Sequence, residues 1–273
     1  MRKRPFPYNE LSSLAAQSFT FSSIDAAIYG KWHENHESVS YATNSDGFRW
    51  NNFVDAETVI LGCSTTFGVG LPLDRTWPYL LSDKTGATNV IAVPGGSIPQ
   101  IIDIGVAVMS KFRAPKRILF LTPNLERVHI SFIPNINVDS TYNWDFDINE
   151  FISMRSPKIE PLQIRSFDKN YRSIPLEYAV GESFRSLIRL GLLAKTIGAD
   201  FHFFSWIDDV NEIFELALIP GFLSGGKVEP FGPCHENERG REFWDHAIDR
   251  GRHPGEHHHT HYKNRFELIF RDS

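Results

Sequence analysis

Four short runs of this sequence are apolar almost without interruption: TVILGC at 58–63, NVIAVPG at 89–95, RILFLTPN at 117–124 and ADFHFFSW at 199–206. A strand with one wet face alternates apolar and polar residues, so unbroken runs imply strands covered on both faces, as in a parallel sheet between helical layers. The intervening segments have helical spacing. Leu73, Trp77, Leu80 and Leu81 fall on one face behind Asp74 as a candidate N-cap, and Thr85-Gly86 closes that segment. Residues 97–113 open on Ser97 and Pro99 and are apolar nearly all round, and residues 181–198 form a third such helix ended by Gly198. The alternation predicts an α/β fold: a single-domain three-layer α/β/α sandwich with a mostly parallel, doubly wound, flavodoxin-like sheet.

Two regions stand outside that alternation. Residues 1–55 hold polar loops and the turn signal NSDG, and read as an ordered lead-in to one domain spanning 1–273. Residues 128–178 are rich in Asn, Asp, Ser, Pro and aromatics without periodicity, and a stretch this long inside a domain reads as an inserted functional cover. A net charge of −5, with no basic run beyond the opening MRKR, gives no basic field for a polyanion and makes nucleic acid an unexpected partner. The residues behind MRKR lack the apolar core of a signal peptide, and no segment approaches the roughly 18 apolar residues of a membrane span. The chain is therefore expected to be soluble and cytoplasmic. Cys63 and Cys234 are too few for a disulfide framework.

Ligands of doubly wound sheets bind beyond the carboxyl ends of the strands, and Ser64 stands just past the first of these ends. The surrounding LGCSTTFGVG fits no phosphate loop, because no Gly-Lys-Ser/Thr follows, and GVG at 68–70 lacks the third glycine of a dinucleotide loop. Nor is it a G-x-S-x-G elbow, since Thr66 lies two residues after Ser64. Ser64 is either a helix cap or a reactive group. The other strand ends favour the second reading. VPGGS places Gly95 in a tight loop, LTPN leaves Asn124 after a buried run, and DRGRHPG supplies Asp249 and His253 near the C-terminus. A serine, an acid and an imidazole, with a backbone N–H and an amide as oxyanion donors, are the components of acyl transfer.

These blocks resemble those of the SGNH (GDSL-like) hydrolases, named for Ser, Gly, Asn and His in separate stretches. LGCSTTFGVGL is similar to the first block, NVIAVPGGS to the second, FLTPN to the third at its Asn, and DRGRHPG to the last; the similarity runs over about residues 43–266, with NSDGFR as a lead-in. The resemblance implies a serine esterase acting on O-acyl esters, short-chain or carbohydrate, without cofactor or metal. It implies Ser64 as nucleophile with Asp249 and His253 completing the triad. It also implies the Ser64 and Gly95 N–H groups and the Asn124 amide as the oxyanion hole. Cys63 stands where the family has Asp, residues 122–125 replace Gly-x-Asn-Asp, and Asp249 is four rather than three residues before His253, with Asp245 as the nearest other acid. An O-acyltransferase on the same site, or a binding module that keeps the fold without catalysis, are the alternative readings.

The substrate side rests on fewer residues. Tyr142 and Trp144 in the cover, with Phe146 beside them, can stack on a sugar ring or pack the cover itself, and Arg127 can meet a substrate carboxylate or form a surface ion pair. The expected partner is a small-molecule or glycan ester. His257, His258, His259 and His261 crowd the segment after His253, with His257 and His261 at i, i+4. The cluster lacks the Glu of an H-E-x-x-H site and a third ligand, so no resident metal is expected.

Overall fold

The computed structural model describes residues 18–22, 38–44, 46–125, 127, 176–224, 235–236, 242–243, 247 and 253–270. Four of the strands, β3 (Thr58–Gly62), β4 (Thr88–Ala92), β5 (Arg117–Thr122) and β6 (Asp200–Ser205), form one sheet in the order β4-β3-β5-β6, and every pairing within it is parallel. This is the α/β architecture expected from the apolar runs. Beyond β6 the parallel alignment continues as a single bridge from Phe203 to Phe222. An antiparallel hairpin of β1 (Ser18–Ser22) and β2 (Ser38–Ala42) precedes the sheet, and the two-residue strands β7 (His235–Glu236) and β8 (Glu242–Phe243) pair separately.

Alternate strand residues go to opposite faces, and both faces are buried. Val59 and Leu61 of β3, Ile118 and Phe120 of β5, and Phe201 and Phe203 of β6 enter one apolar cluster. Its other wall is α3 (Ile98–Met109) and α4 (Leu176–Ile197), joined by Val210 and Phe214 of α5 (Asp208–Leu216). Ile60, Leu119, Leu121 and Phe204 enter the second cluster, against Trp77 and Leu81 of α2 (Trp77–Thr85) and Tyr262 and Phe266 of α6 (Glu256–Glu267). Three layers result, which is why these strands read as continuous apolar runs.

Helix boundaries follow local chemistry, with two corrections to the sequence reading. Ser97 does cap α3, its hydroxyl accepting from the Gln100 N–H at 3.3 Å, and Gly198 follows α4 in the left-handed conformation (φ 72°). Asp74, in contrast, does not cap α2: residues Leu73–Arg75 form a separate 3-10 turn, and Thr76 holds the N-cap position. The α4 helix begins at Leu176 rather than at residue 181, because the buried Ala179 and half-buried Val180 extend its apolar face further back, into the segment 128–178 expected to form the cover.

The α2 start shows how the last helix is locked on. Thr76 makes no side-chain cap, and its hydroxyl donates instead to the Leu73 carbonyl at 2.7 Å. The orphan N–H of Trp77 donates to Nδ1 of His259 in α6 at 2.9 Å, and the Trp77 and Phe266 rings stack with centroids 4.7 Å apart. This bond fixes the His259 proton on Nε2. Burial, reinforced by His258, His253 and Arg49, holds His259 down to about 3, well below the ordinary histidine value of 6.5. The unfolded chain thus binds a proton below pH 6.5 that the folded chain refuses. The stability is complete above that pH and is lost as pH falls toward the folded value. We expect the melting temperature to drop between about pH 7.5 and about pH 5, and to drop less in His259→Asn, whose Oδ1 can accept the Trp77 N–H without titrating. Equal drops in thermal scans of the two proteins would remove His259 as the cause.

Candidate active site

The sheet order creates a crevice. From β3 the chain crosses to β4 on one side, and from β5 it proceeds to β6 on the other, so the connections diverge beyond the carboxyl ends of the adjacent strands β3 and β5. Ser64 follows β3, Asn124 follows β5, and Gly95 follows β4. Three of the residues singled out in the sequence therefore share one end of the sheet.

The Ser64 turn is tight. Cys63, fully buried with extended backbone (φ −100°, ψ −152°), holds the N-cap position of the single-turn helix α1 (Ser64–Phe67) without a side-chain cap bond. Ser64 is the first helical residue and not the cap, so its hydroxyl is not spent in closing the helix end. Among the described residues that hydroxyl has no hydrogen-bond partner, and the residue is 7% exposed. The sharp entry from strand to helix depends on Gly62, where a Cβ would lie 1.8 Å from Thr66 Oγ1. With only four residues, α1 adds little macrodipole, and what an anion would meet there is the local N–H groups of its first turn.

The turn is held from the lead-in. Asn44 Oδ1 accepts the N–H groups of Asp46 and Phe48 at 3.0 and 2.9 Å, which pins the residues just ahead of Arg49. The Arg49 guanidinium, 4% exposed, donates through Nη1 to the carbonyls of Phe67 and Gly68, both at 2.8 Å, and through Nη2 to the Leu71 carbonyl at 2.7 Å. It also lies over the Tyr41 ring, 4.4 Å from the centroid, and the Tyr41 hydroxyl accepts the Gly70 N–H at 2.7 Å. Burial pulls Arg49 down to about 10, with Tyr41 and Asp74 opposing, so it remains charged at neutral pH. Gly68 is left-handed (φ 73°), returning its N–H to the Ser64 and Thr65 carbonyls. The sequence reading named NSDGFR as a lead-in but did not identify Arg49 as the clamp; the carbonyl-rich glycine loop ahead of it was the available signal.

The oxyanion-donor candidates are placed by loops. Gly95 is left-handed (φ 78°) with open space where a Cβ would stand, in the turn closed by the Gly96 N–H to Val93 carbonyl bond at 2.9 Å. Asn124 is 7% exposed after the buried strand β5. Arg127 corrects its surface ion-pair reading. It is 3% exposed, its N–H donates to the Asn124 carbonyl at 3.4 Å and its Nη1 to the Gly96 carbonyl at 3.3 Å, so it joins the Gly95-Gly96 and Asn124 loops.

His253 stands two residues before Gly255, the N-cap of α6, and its carbonyl accepts the Ala247 N–H at 3.1 Å. The same end of α6 meets the segment after the Ser64 turn through Arg75 and Glu256, 2.7 Å apart at the surface. His253 also acts on His259, which in turn holds the start of α2. Asp249, Asp245, Tyr142 and Trp144 lie outside the described residues. Within α6, His258 and His259 are buried while His257 is exposed, and among the described residues no group of three or more His, Cys, Asp or Glu side chains could hold a metal ion. Among the described residues, no helix is long and apolar enough to cross a membrane. No family model matches the chain, and no curated protein matches it.

Replacing Arg49 by Met should leave three carbonyls without their donor and lower unfolding stability by about 2–4 kcal/mol, with Arg49→Lys recovering part of the loss. Urea denaturation of the three proteins measures this. A loss below about 0.5 kcal/mol would show that the loop does not depend on the clamp.

Proposed function

We propose that the chain is a serine esterase of the SGNH type, hydrolysing O-acyl esters with Ser64 as nucleophile. One observation carries this reading. A buried serine, its hydroxyl unspent on capping, stands at the switch point of a parallel sheet, with a left-handed glycine and a buried asparagine beyond the two neighbouring strand ends. A structural serine in that position has little need of the other two.

In the proposed reaction His253 accepts the Ser64 proton as Oγ attacks the ester carbonyl, and then donates it to the departing alcohol oxygen. Asp249 is assigned to orient and stabilise the imidazolium. The negative charge on the former carbonyl oxygen is met by the N–H groups of Ser64 and Gly95 and by the Asn124 amide. Water, activated by the same histidine, releases the acid and restores the serine. A second alcohol in place of water would give acyl transfer from the same acyl-enzyme.

A serine-directed fluorophosphonate should label the protein with one adduct, seen by intact-mass spectrometry, and Ser64→Ala should abolish the label. Hydrolysis of para-nitrophenyl acetate should fall by at least about 10³-fold in the same variant, and by about 10²- to 10³-fold in Asn124→Ala. Labelling that survives the loss of Ser64, or no labelling of the wild-type protein, would defeat the assignment.

A further inference from the structure

Four side-chain atoms in this chain are buried without a hydrogen-bond partner in a way that follows the sheet. Thr65 Oγ1 lies beside Ser64, Thr122 Oγ1 ends β5, Gln100 Nε2 sits in the first turn of α3 just after the Gly95-Gly96 loop, and Arg127 Nε lies beyond Asn124. All four belong to segments at the carboxyl ends of β3, β4 and β5. Buried polar atoms in folded proteins are nearly always satisfied, so a group of them at one end of a sheet marks a place built for polar atoms the chain does not itself supply.

Arg127 sets the sign of those atoms. It is a full positive charge at 3% exposure, and its side chain is met by the Gly96 carbonyl at 3.3 Å. Among the described residues no carboxylate forms an ion pair with it. A single neutral carbonyl does not offset the desolvation of a guanidinium. Arg49 provides the internal contrast, because three carbonyls at 2.7–2.8 Å and an aromatic face take up its charge. Gln100, 4% exposed, adds an amide donor without an acceptor. A planar cation and an amide N–H, both wanting acceptors, suit a carboxylate, which can accept from both.

We propose that the esters this site takes carry a carboxylate, held by Arg127 with Gln100 beside the Gly95 and Asn124 loops. The inference rests on the reading of Ser64 as nucleophile for its reaction, though not for its binding. Arg127 is then a specificity-determining residue, absent from the hydrolytic steps themselves.

Two matched pairs of esters test it: mono-para-nitrophenyl succinate against para-nitrophenyl butyrate for a charge on the acyl side, and para-carboxyphenyl acetate against its methyl ester for a charge on the alcohol side. In one pair the wild-type protein should favour the charged ester in kcat/KM, and Arg127→Gln should reduce that preference by about 10- to 100-fold, with Arg127→Lys intermediate. A charged-to-neutral ratio that is the same in wild type and Arg127→Gln for both pairs overturns the proposal. Calorimetric titration with succinate keeps the two readings separable, since it needs no turnover and is run on Ser64→Ala with and without Arg127→Gln, both checked for cooperative melting. Succinate bound by the first protein and not by the second supports the carboxylate site even if Ser64 proves inert. Failure of both to bind succinate, alongside unchanged ester ratios, removes the site and leaves the esterase reading to stand on its own labelling experiment.

Discussion

A strand hydrogen-bonded on both edges and covered on both faces has only its ends left for chemistry, and β3 is that strand here. Its neighbours β4 and β5 run parallel to it, so all three release their chains at the same end of the sheet. The position of Ser64, Gly95 and Asn124 is therefore a property of the sheet before it is a property of the loops. The loops only choose which group each strand end presents.

That dependence explains what the sequence could disclose. The four sheet strands were legible because burial on both faces leaves no polar residue to break the run, and Ser97 and Gly198 were legible because capping is local chemistry. The Asp74 assignment failed because the helix start it was meant to cap is satisfied from 182 residues away, by His259, and long-range partners leave no periodic trace. The same limit hid Arg49 and the burial of Arg127, whose partners are backbone carbonyls, which every residue has and no composition reveals. Within the candidate site the residue types could be read at the strand ends, whereas the difference between Ser64 as cap and as first helical residue required the backbone.

Two buried arginines make unlike demands on the structure. Arg49 is surrounded by carbonyls of the glycine loop and holds that loop in shape, a role that needs the planar fork of its guanidinium. Arg127 instead spans two loops, with its Nη1 donating to the single Gly96 carbonyl and its Nε without a hydrogen-bond partner.

The bonds around Ser64 also differ in how far along the chain they reach. Arg49 grips carbonyls 18 to 22 residues ahead, whereas the Trp77 to His259 bond joins residues 182 apart. Loop-closure entropy grows with separation, so the bond that docks α6 costs more to close than those that hold the serine turn. His253, the proposed base, stands just before α6, so the serine and its base are carried by segments held through contacts of different reach. Local opening of α6 would part the base from the serine, and would also cost the apolar contacts of Tyr262 and Phe266 with the sheet.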